Sequence, residues 1–423
     1  MEYFSKYHQN SIEKIILQIF LKLKKNKNLK SVYFNLSQNC LGLNVFRTNV
    51  NYIKLFFFNL KNFNNTVKTF SSKVYYKSIT KKKFKNIYIT WGEKKNFDKK
   101  GNYNDNFFKI SSKKKNDLFL VVNTTEEIPK NINENIIIYS HSDKALLSNY
   151  FKFFKFFLKN FYNPVKFLIN FNWQNLFDIE FKRKLNSTIK NLSFKNCNFI
   201  YEGQNFQDGI VKLIKKNNEK TKTRAYISSI PSPYPINYYN YEKEFIDEIN
   251  VYSYEQQALF KNYLNWKLKK IKVIKSKRFK KGSFKKSPCI YFPIDVIRFD
   301  NILLNLDNFL ITSKKTFCTP KIKFHPRFKS ISKKFLYETE IQKIIKKNKK
   351  RFSKSSKEIF SFFIGPTGAL IEALENNIKV IQICDNNIFD NFNLKLWKNL
   401  RSTKLSEGVY TYKLKKKNGS LMM

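Results

Sequence analysis

The segment FIGPTGALIEALENNIKVIQICD, residues 363–385, carries the clearest structural pattern of the chain. A short apolar run leads into the turn GPTG at 365–368, a helical pattern follows, and a second apolar run occupies 379–385. This order predicts a buried strand, a tight turn, a helix and a second buried strand. Such an alternation is typical of a parallel sheet with helices packed on its faces.

The same alternation extends through both halves of the chain. Short runs rich in β-formers recur between helical patterns, among them NIYITW (86–91), DLFLVV (117–122), NIIIYS (135–140), CNFIY (197–201), EINVYS (248–253), IKVIKS (271–276) and CIYFPI (289–294). The pattern predicts an α/β protein with two Rossmann-like, doubly wound domains facing a cleft.

A proline-rich segment separates the two halves. IPSPYPINYY, residues 230–239, contains three prolines and interrupts the alternation, which favours an interdomain crossover. We therefore expect an N-terminal, acceptor-side domain over 1–235, a C-terminal, nucleotide-sugar-binding domain over 236–400 and a tail over 401–423.

The net charge of +50, from 81 Lys and Arg against 31 Asp and Glu, allows two interpretations. It indicates a polyanionic partner, or it reflects codon drift in an AT-rich genome, which enriches Lys, Asn, Ile, Phe and Tyr together. The basic residues are spread over helices and loops, as drift would place them, so no specific nucleic-acid partner is expected. A basic nucleic-acid-binding protein remains the alternative from another class.

Cysteine usage and hydropathy indicate a cytoplasmic protein. The five cysteines are scattered without CxxC spacing, which suggests neither a zinc site nor a disulfide framework. No run of about 18 uncharged apolar residues is present, and the N-terminus lacks the apolar core of a signal peptide.

Residues 150–173 combine many phenylalanines with Lys152, Lys155 and Lys159 on one predicted helical face. One interpretation is a core helix whose lysines face water. The other is an interfacial helix on an anionic bilayer, which would place the protein peripherally at the inner face of the bacterial membrane.

Ligands of doubly wound sheets bind beyond the carboxyl ends of the strands, and this rule selects three turns. In the first, Thr367 occupies a helix N-cap position, followed by Gly368 and Ala369, so that first-turn N–H groups remain open to a phosphate. The alternative is an ordinary capped helix. No Walker pattern is present, which disfavours an ATPase.

The second turn lies in KIKFHPRFK, residues 321–329, where His325 follows a predicted strand among Lys323, Arg327 and Lys329. An imidazole there could donate to a phosphate oxygen, and the alternative is a surface histidine in a basic loop. Because the two turns belong to consecutive strand–helix units, we expect their strand ends to be neighbours.

The third turn is YEGQ, residues 201–204. Glu202 follows a predicted strand of the other domain, where it is suited to act as general base on an acceptor hydroxyl. The alternatives are a helix-capping or ribose-binding role, and Asp98 and Asp208 are weaker candidates for the base.

On FHPR (324–327), GPTGALIEAL (365–374) and YEGQ, the chain resembles the two-domain GT-B glycosyltransferases of bacterial surface-polysaccharide synthesis, most of all the sialyltransferase and polysialyltransferase-like group. The resemblance implies a metal-independent, inverting transfer of a sugar, such as sialic acid or a related acidic sugar, from a CMP-activated donor to a glycan or lipid-linked acceptor. The donor is a substrate, and no cofactor is implied.

The resemblance also implies roles for individual residues. Glu202 would be the base and His325 would stabilise the departing phosphate. The nucleotide and its phosphate would contact Gly365, Thr367, Gly368, Ala369, Glu372, Arg278 and Ser276. Pro366 before a single hydroxyl and Tyr201 in place of a first acid depart from the family pattern and leave the donor sugar open. A CDP-glycerol-type polymer transferase and a sugar-nucleotide epimerase are the alternatives within this fold.

Overall fold

The computed structural model describes residues 60, 63–123, 125, 127–140, 144–160, 173–227, 233, 235–240, 245–276, 287–293, 296, 298–325, 328, 330–353, 356, 358–385, 391–392 and 396–415. These residues form two compact units. The first contains the described residues up to 227, Ile236–Val251 and Leu264–Lys272. The second contains residues 233 and 235, Tyr252–Tyr263 and the described residues from Val273 onward.

The first unit is built on an eight-stranded sheet. Its strands are β1 (Lys73–Tyr76), β2 (Lys83–Gly92), β3 (Asp117–Asn123), β4 (Ile136–Ser140), β5 (Ser193–Tyr201), β6 (Lys222–Ile227), β7 (Glu248–Val251) and β8 (Ile271–Val273). They are arranged in the order β1-β4-β3-β2-β5-β6-β7-β8. Strands β2 to β7 are parallel, whereas β1 is antiparallel to β4. The six parallel strands follow the Rossmann order. The chain adds β3 and β4 on one side of β2 and then β5, β6 and β7 on the other, so the switch point lies between β2 and β5.

Aromatic side chains join this sheet to its helices, which are α1 (Phe63–Lys68), α2 (Leu147–Asn160), α3 (Trp173–Ile189) and α4 (Asn205–Asn217). Phe181 of α3 lies with its ring 4.5 Å from that of Tyr139 in β4 and 5.0 Å from that of Phe206 in α4. All three side chains are buried. Their large apolar area stabilises the attachment of α3 and α4 to the sheet.

A packed loop follows β2 where a helix would be usual in this fold. Tyr103 in this loop is fully buried, and its hydroxyl donates to the Trp91 carbonyl oxygen at 2.8 Å. Asp105, also buried, accepts hydrogen bonds from the Thr90 hydroxyl and the Phe107 N–H. The loop is polar in sequence, yet the buried side chains of Tyr103 and Asp105 are both hydrogen-bonded, so the loop covers the sheet without leaving this carboxylate unpaired.

The described residues of the second unit form a six-stranded sheet, a separate strand pair and four α-helices. The strands are β9 (Cys289–Tyr291), β10 (Phe317–Cys318), β11 (Lys321–Lys323), β12 (Phe352–Ser353), β13 (Phe360–Ile364), β14 (Lys379–Ile383), β15 (Leu400–Ser406) and β16 (Val409–Leu414), and the helices are α5 (Tyr254–Asn262), α6 (Phe299–Thr312), α7 (Ile331–Lys347) and α8 (Gly368–Glu375). The main sheet has the order β11-β9-β13-β14-β16-β15. Its first four strands are parallel, and β15 and β16 form an antiparallel hairpin at the edge.

One apolar core joins α6 and α7 to the second sheet. Ile302 and Leu306 of α6 and Ile341 of α7 pack with Phe362 and Ile364 of β13. The chain leaves β9 toward β11 on one side and later returns to β13 on the other, so the strand order reverses between β9 and β13. The predicted α/β class with two Rossmann-like units is confirmed.

The limits of the units differ from the predicted domains. Strands β7 and β8 extend the first sheet beyond residue 235, and residues 400–414 form the β15–β16 hairpin of the second sheet instead of a tail. Residues 416–423 lie outside the described part of the chain. The prolines of 230–239 mark a change of pattern, but they carry no information on which sheet the following strands join. Within the described ranges, no helix has both the length and the apolar character needed to span a bilayer.

Phe317 offers a test of the second core. Its side chain is fully buried, with ring centroids 5.5 to 5.7 Å from those of Phe309, Phe360 and Phe362. Phe317→Ala is expected to lower the free energy of unfolding by about 3–5 kcal/mol, because it removes this contact area and leaves a cavity. Urea unfolding followed by circular dichroism measures the change. In the control, Phe335→Ala removes a 73% exposed ring of α7 and should change the free energy of unfolding by less than about 0.5 kcal/mol. Equal effects of the two substitutions would contradict the assignment of Phe317 to the core of the second unit.

Candidate functional site

The turn after β13 has a defined conformation that only a few residue types allow. Gly365 has a φ of +61°, in the left-handed region that favours glycine. Its N–H donates to the Ile383 carbonyl oxygen at 2.8 Å, and its own carbonyl oxygen accepts from Gln382 Nε2 at 2.7 Å. The N–H and the carbonyl oxygen of Gly365 are therefore both bound by residues of β14.

Thr367 is the N-cap of α8, as the sequence predicts. Its backbone is extended, and its Oγ1 accepts the N–H of Ala369 at 3.3 Å. Gly368 is exposed, Ala369 is partly exposed, and the first turn of α8 contains no acidic residue. The positive end of the helix dipole is thus accessible without a competing carboxylate, which suits an anion.

This turn lies at the point where the strand order reverses, and β9 is its neighbour. A Cβ added to Gly365 would lie 4.0 Å from Pro293 Cγ, in ordinary contact distance. Tyr291 pairs with Phe363, and their rings are stacked with centroids 5.0 Å apart. In open α/β sheets ligands bind at such a switch point, so the sheet topology independently selects the turn that the sequence pattern selects.

The prediction that the strand ends before His325 and Thr367 are neighbours is wrong. His325 follows β11, which pairs with β9, so that β9 lies between β11 and β13. Two strand spacings correspond to about 10 Å. His325 is half-buried, and its carbonyl oxygen accepts the Phe328 N–H at 2.8 Å. Pro326 and Arg327 of the quoted motif lie outside the described residues.

Lys323 of β11 places its ammonium group beside Tyr291 of the intervening strand β9. Its Nζ lies 5.4 Å from the ring centroid of Tyr291, within cation–π distance. Burial alone would lower the pKa of Lys323, but interactions with Cys289 and Tyr291 outweigh it and raise the pKa. The pKa of Tyr291 is raised by burial and then by Cys289. Lys323 therefore stays charged beside the switch point.

Glu202 stands at the corresponding position of the first unit, where β5 adjoins β2. It is half-buried, its N–H donates to Gln207 Oε1 at 2.9 Å, and its Oε2 accepts from Gln204 Nε2 at 3.1 Å. Gln204, and not Glu202, caps α4 through a reciprocal pair with Gln207. The N-cap of α4 is therefore Gln204, and the ribose-binding alternative for Glu202 stays open.

Gly203 explains why the YEGQ turn needs a glycine. Its φ is +72°, and a Cβ there would lie 2.0 Å from the Asn237 carbonyl oxygen. The Asn237 side chain in turn donates to the Glu202 carbonyl oxygen. Close backbone approach thus holds the position of Glu202.

The remaining predicted residues have diverse surroundings. Ser276 is buried, Arg278 lies outside the described residues, and Glu372 is half-buried on α8. Asp98 accepts N–H groups of its own loop, and hydrogen bonds from Asn102 lower its pKa, which indicates a role in holding the loop. Asp208 is in the first turn of α4, where a carboxylate is favoured by the helix dipole.

Gln382 is a residue that the sequence reading missed. It is fully buried, and its Oε1 accepts the Tyr412 hydroxyl at 2.7 Å while its Nε2 holds the Gly365 carbonyl. The Tyr412 oxygen also accepts the Phe392 N–H at 3.2 Å. The signal for this role is a single amide side chain within the apolar strand KVIQI.

Among the described side chains, no group of three or more His, Cys, Asp or Glu residues could hold a metal ion. The metal-independent mechanism stays a prediction.

Comparisons with known proteins add little. The sequence matches no protein-family model and no curated protein. One similar solved structure is a variant of the wall teichoic acid polymerase TagF after a 30-minute soak with CDPG. It shares 9% identity, with 82% of this chain and 83% of that chain covered, at a TM-score of 0.30. At this TM-score the likeness supports no inference about function.

Replacement of Gln382 tests how the Gly365 turn is held. Gln382→Leu keeps the volume of the side chain but leaves the Gly365 carbonyl and the Tyr412 hydroxyl without this partner, at a cost of about 1–3 kcal/mol for each buried group. Urea unfolding measures the loss. Tyr412→Phe removes one of the two hydrogen bonds, and the double variant should be less destabilised than the sum of the single ones. Strictly additive effects would contradict a shared network.

Proposed function

We propose that the chain is a glycosyltransferase that moves a sugar from a nucleotide-activated donor to a hydroxyl group of an acceptor. The observation that carries the proposal is the Gly365–Ala369 turn, an open helix N-terminus at the switch point of the second sheet. On the same edge of that sheet, two strands away from β13, Lys323 of β11 adds a positive charge, and His325, which follows β11, adds an imidazole. This combination suits a phosphate group.

Each part of the turn has a distinct task in this proposal. Thr367 donates its hydroxyl hydrogen to a phosphate oxygen while its Oγ1 accepts the Ala369 N–H, and the N–H of Gly368 and the positive end of the helix dipole bind the same anion. Lys323 supplies a charged donor, and His325 supplies an imidazole N–H. As the bond to the sugar breaks, negative charge grows on the phosphate, and these fixed donors stabilise that state more than the ground state.

The transfer step is a single displacement with inversion. The Glu202 carboxylate takes the proton of the acceptor hydroxyl while the acceptor oxygen bonds to the anomeric carbon of the sugar. The bond between that carbon and the donor phosphate oxygen breaks, and its electron pair leaves with the nucleotide phosphate. In this proposal Lys323, the His325 imidazole and the N-terminus of α8 are sufficient to stabilise the leaving group without a metal ion.

For the donor we favour a CMP-activated acidic sugar, sialic acid or a relative of it, on the motif resemblance alone. The acceptor would be a glycan or lipid-linked chain of a bacterial surface polysaccharide, elongated by a cytoplasmic enzyme peripheral to the membrane. A CDP-glycerol-type polymer transferase and a sugar-nucleotide epimerase would use the same phosphate turn, and donor preference separates them.

Nucleotide binding tests the phosphate site. In isothermal titration calorimetry, CMP should bind more tightly than UMP or AMP. If CDP binds most tightly instead, the result would favour the polymer transferase. His325→Ala should weaken binding roughly tenfold to a hundredfold, the value of a hydrogen bond to a charged group, and Thr367→Ala roughly three- to tenfold.

Two further variants serve as controls for this titration. Thr367→Ser keeps the hydroxyl and the helix cap and should bind as the parent does. Thr403→Ala removes an exposed hydroxyl from β15 of the same unit and should have no effect. Unchanged CMP affinity in both His325→Ala and Thr367→Ala would overturn the site, and strong oligonucleotide binding with no affinity for any nucleotide would favour the nucleic-acid alternative.

The base role of Glu202 is tested by catalysis at saturating donor. Glu202→Gln should lower kcat about 10²- to 10⁴-fold, the usual contribution of general base catalysis, and leave the donor affinity unchanged. Nucleotide release from CMP-, CDP- and UDP-activated donors measures the rate. Asp208→Asn, six residues further along the chain, is the matched control and should retain activity. A larger loss of kcat in Asp208→Asn than in Glu202→Gln would assign the base to Asp208.

A further inference from the structure

Helix α2 has one packed face and one exposed apolar face. Toward the protein, Phe153 is buried with Val67, Phe70 and Leu176, and its ring meets that of Phe63 edge to face at 5.0 Å. This packing attaches the helix to the first unit. The interpretation of this segment as a core helix whose lysines face water is incomplete, because apolar side chains of α2 face water as well.

The exposed face carries four large apolar side chains, which we call the α2 stripe. They are Leu147, Phe151, Phe154 and Leu158, with exposed fractions of 75%, 69%, 57% and 62%. Their spacing of four, three and four residues places them on one side of the helix along three turns. Contiguous apolar surface of this kind marks an interaction site on a folded protein.

The charges beside the α2 stripe are positive. Lys152 and Lys155 are both exposed, and α2 contains no acidic residue. The pKa of Lys184 in the neighbouring α3 is lowered, chiefly by burial. Repulsion from Lys152 makes a smaller contribution, so the two ammonium groups lie near each other. The nearby Glu180 is buried and is paired with Arg183 at 2.8 Å, so it offsets little of the outward charge.

We propose that the α2 stripe docks on an anionic lipid bilayer. Apolar side chains would enter the boundary between headgroups and acyl chains, and Lys152 and Lys155 would contact anionic headgroups. An apolar stripe bordered by cations complements a surface that is anionic outside and apolar beneath, and such layering is a property of a bilayer. The proposal rests on the geometry of α2 and is independent of the proposed transferase activity.

Co-sedimentation of the full chain with vesicles tests this docking. Vesicles of phosphatidylcholine with 30% phosphatidylglycerol provide the anionic surface, and pure phosphatidylcholine vesicles are the reference. The parent should bind the anionic vesicles, and Phe151→Ser with Phe154→Ser should weaken binding about tenfold or more, because membrane affinity scales with the apolar area inserted. Lys152→Glu with Lys155→Glu should weaken it by about tenfold as well.

Matched controls separate the α2 stripe from the general charge of the chain. Leu304→Ser with Ile311→Ser removes two apolar side chains of α6 that are 59% and 52% exposed. Lys349→Glu with Lys350→Glu makes the same charge change at exposed lysines of the second unit. Both controls should bind the anionic vesicles within about twofold of the parent, since neither pair belongs to the amphipathic face of α2.

Three results would overturn the proposal. One is a parent chain that does not bind the anionic vesicles. Another is equal loss of binding in the charge variants of α2 and of residues 349–350, which would assign binding to net charge alone. The last is a parent that is dimeric by analytical ultracentrifugation and becomes monomeric in the serine variant without loss of vesicle binding, which would make the α2 stripe a contact between copies of this chain. Each variant should unfold at the parent temperature, because the replaced side chains are exposed.

Discussion

The backbone of Gly365 is held at both of its polar groups, and the geometry of the second unit's candidate site depends on this constraint. Its N–H is bound by the Ile383 carbonyl and its C=O by the buried Gln382 side chain. Because the turn is left-handed, the chain leaves β13 in a direction that allows Thr367 to cap α8. A side chain other than hydrogen at 365 would be strained by the positive φ alone.

The same constraint links the interior of the sheet to its edge. Gln382 receives the Tyr412 hydroxyl, so the antiparallel hairpin at the far side of β14 contributes to the position of the phosphate turn. Fully satisfied buried polar groups of this kind favour one conformation, since any other leaves a donor or an acceptor unpaired. In the first unit, Gly203 and Asn237 hold Glu202 by a comparable close approach of two backbone segments.

The positive charge of the chain favours both of the proposed ligands, the nucleotide phosphate and the anionic bilayer. Several acids are engaged in ion pairs, such as Asp247 with Lys215 and Glu248 with Lys272, each at 2.9 Å. The large excess of lysine leaves a surface that attracts anions, whether nucleotide phosphates or lipid headgroups. Exposed charges are screened by salt, so this attraction raises local concentration but gives little selectivity. Selectivity has to come from placed groups such as Thr367, His325 and the α2 stripe.

Local pattern alone predicted the types of most elements and the capped turn at Thr367, because hydrophobic periodicity and capping depend on residues only a few positions apart. Strand pairing depends on residues distant in sequence, and there the tertiary structure decided. It placed EINVYS and IKVIKS on the first sheet, inserted β9 between His325 and the Thr367 turn, and turned Gln382 inward to hold Gly365. It also left Phe151 and Phe154 exposed, which periodicity could not predict, since an apolar face shows that a helix packs but not how much of that face its neighbours cover.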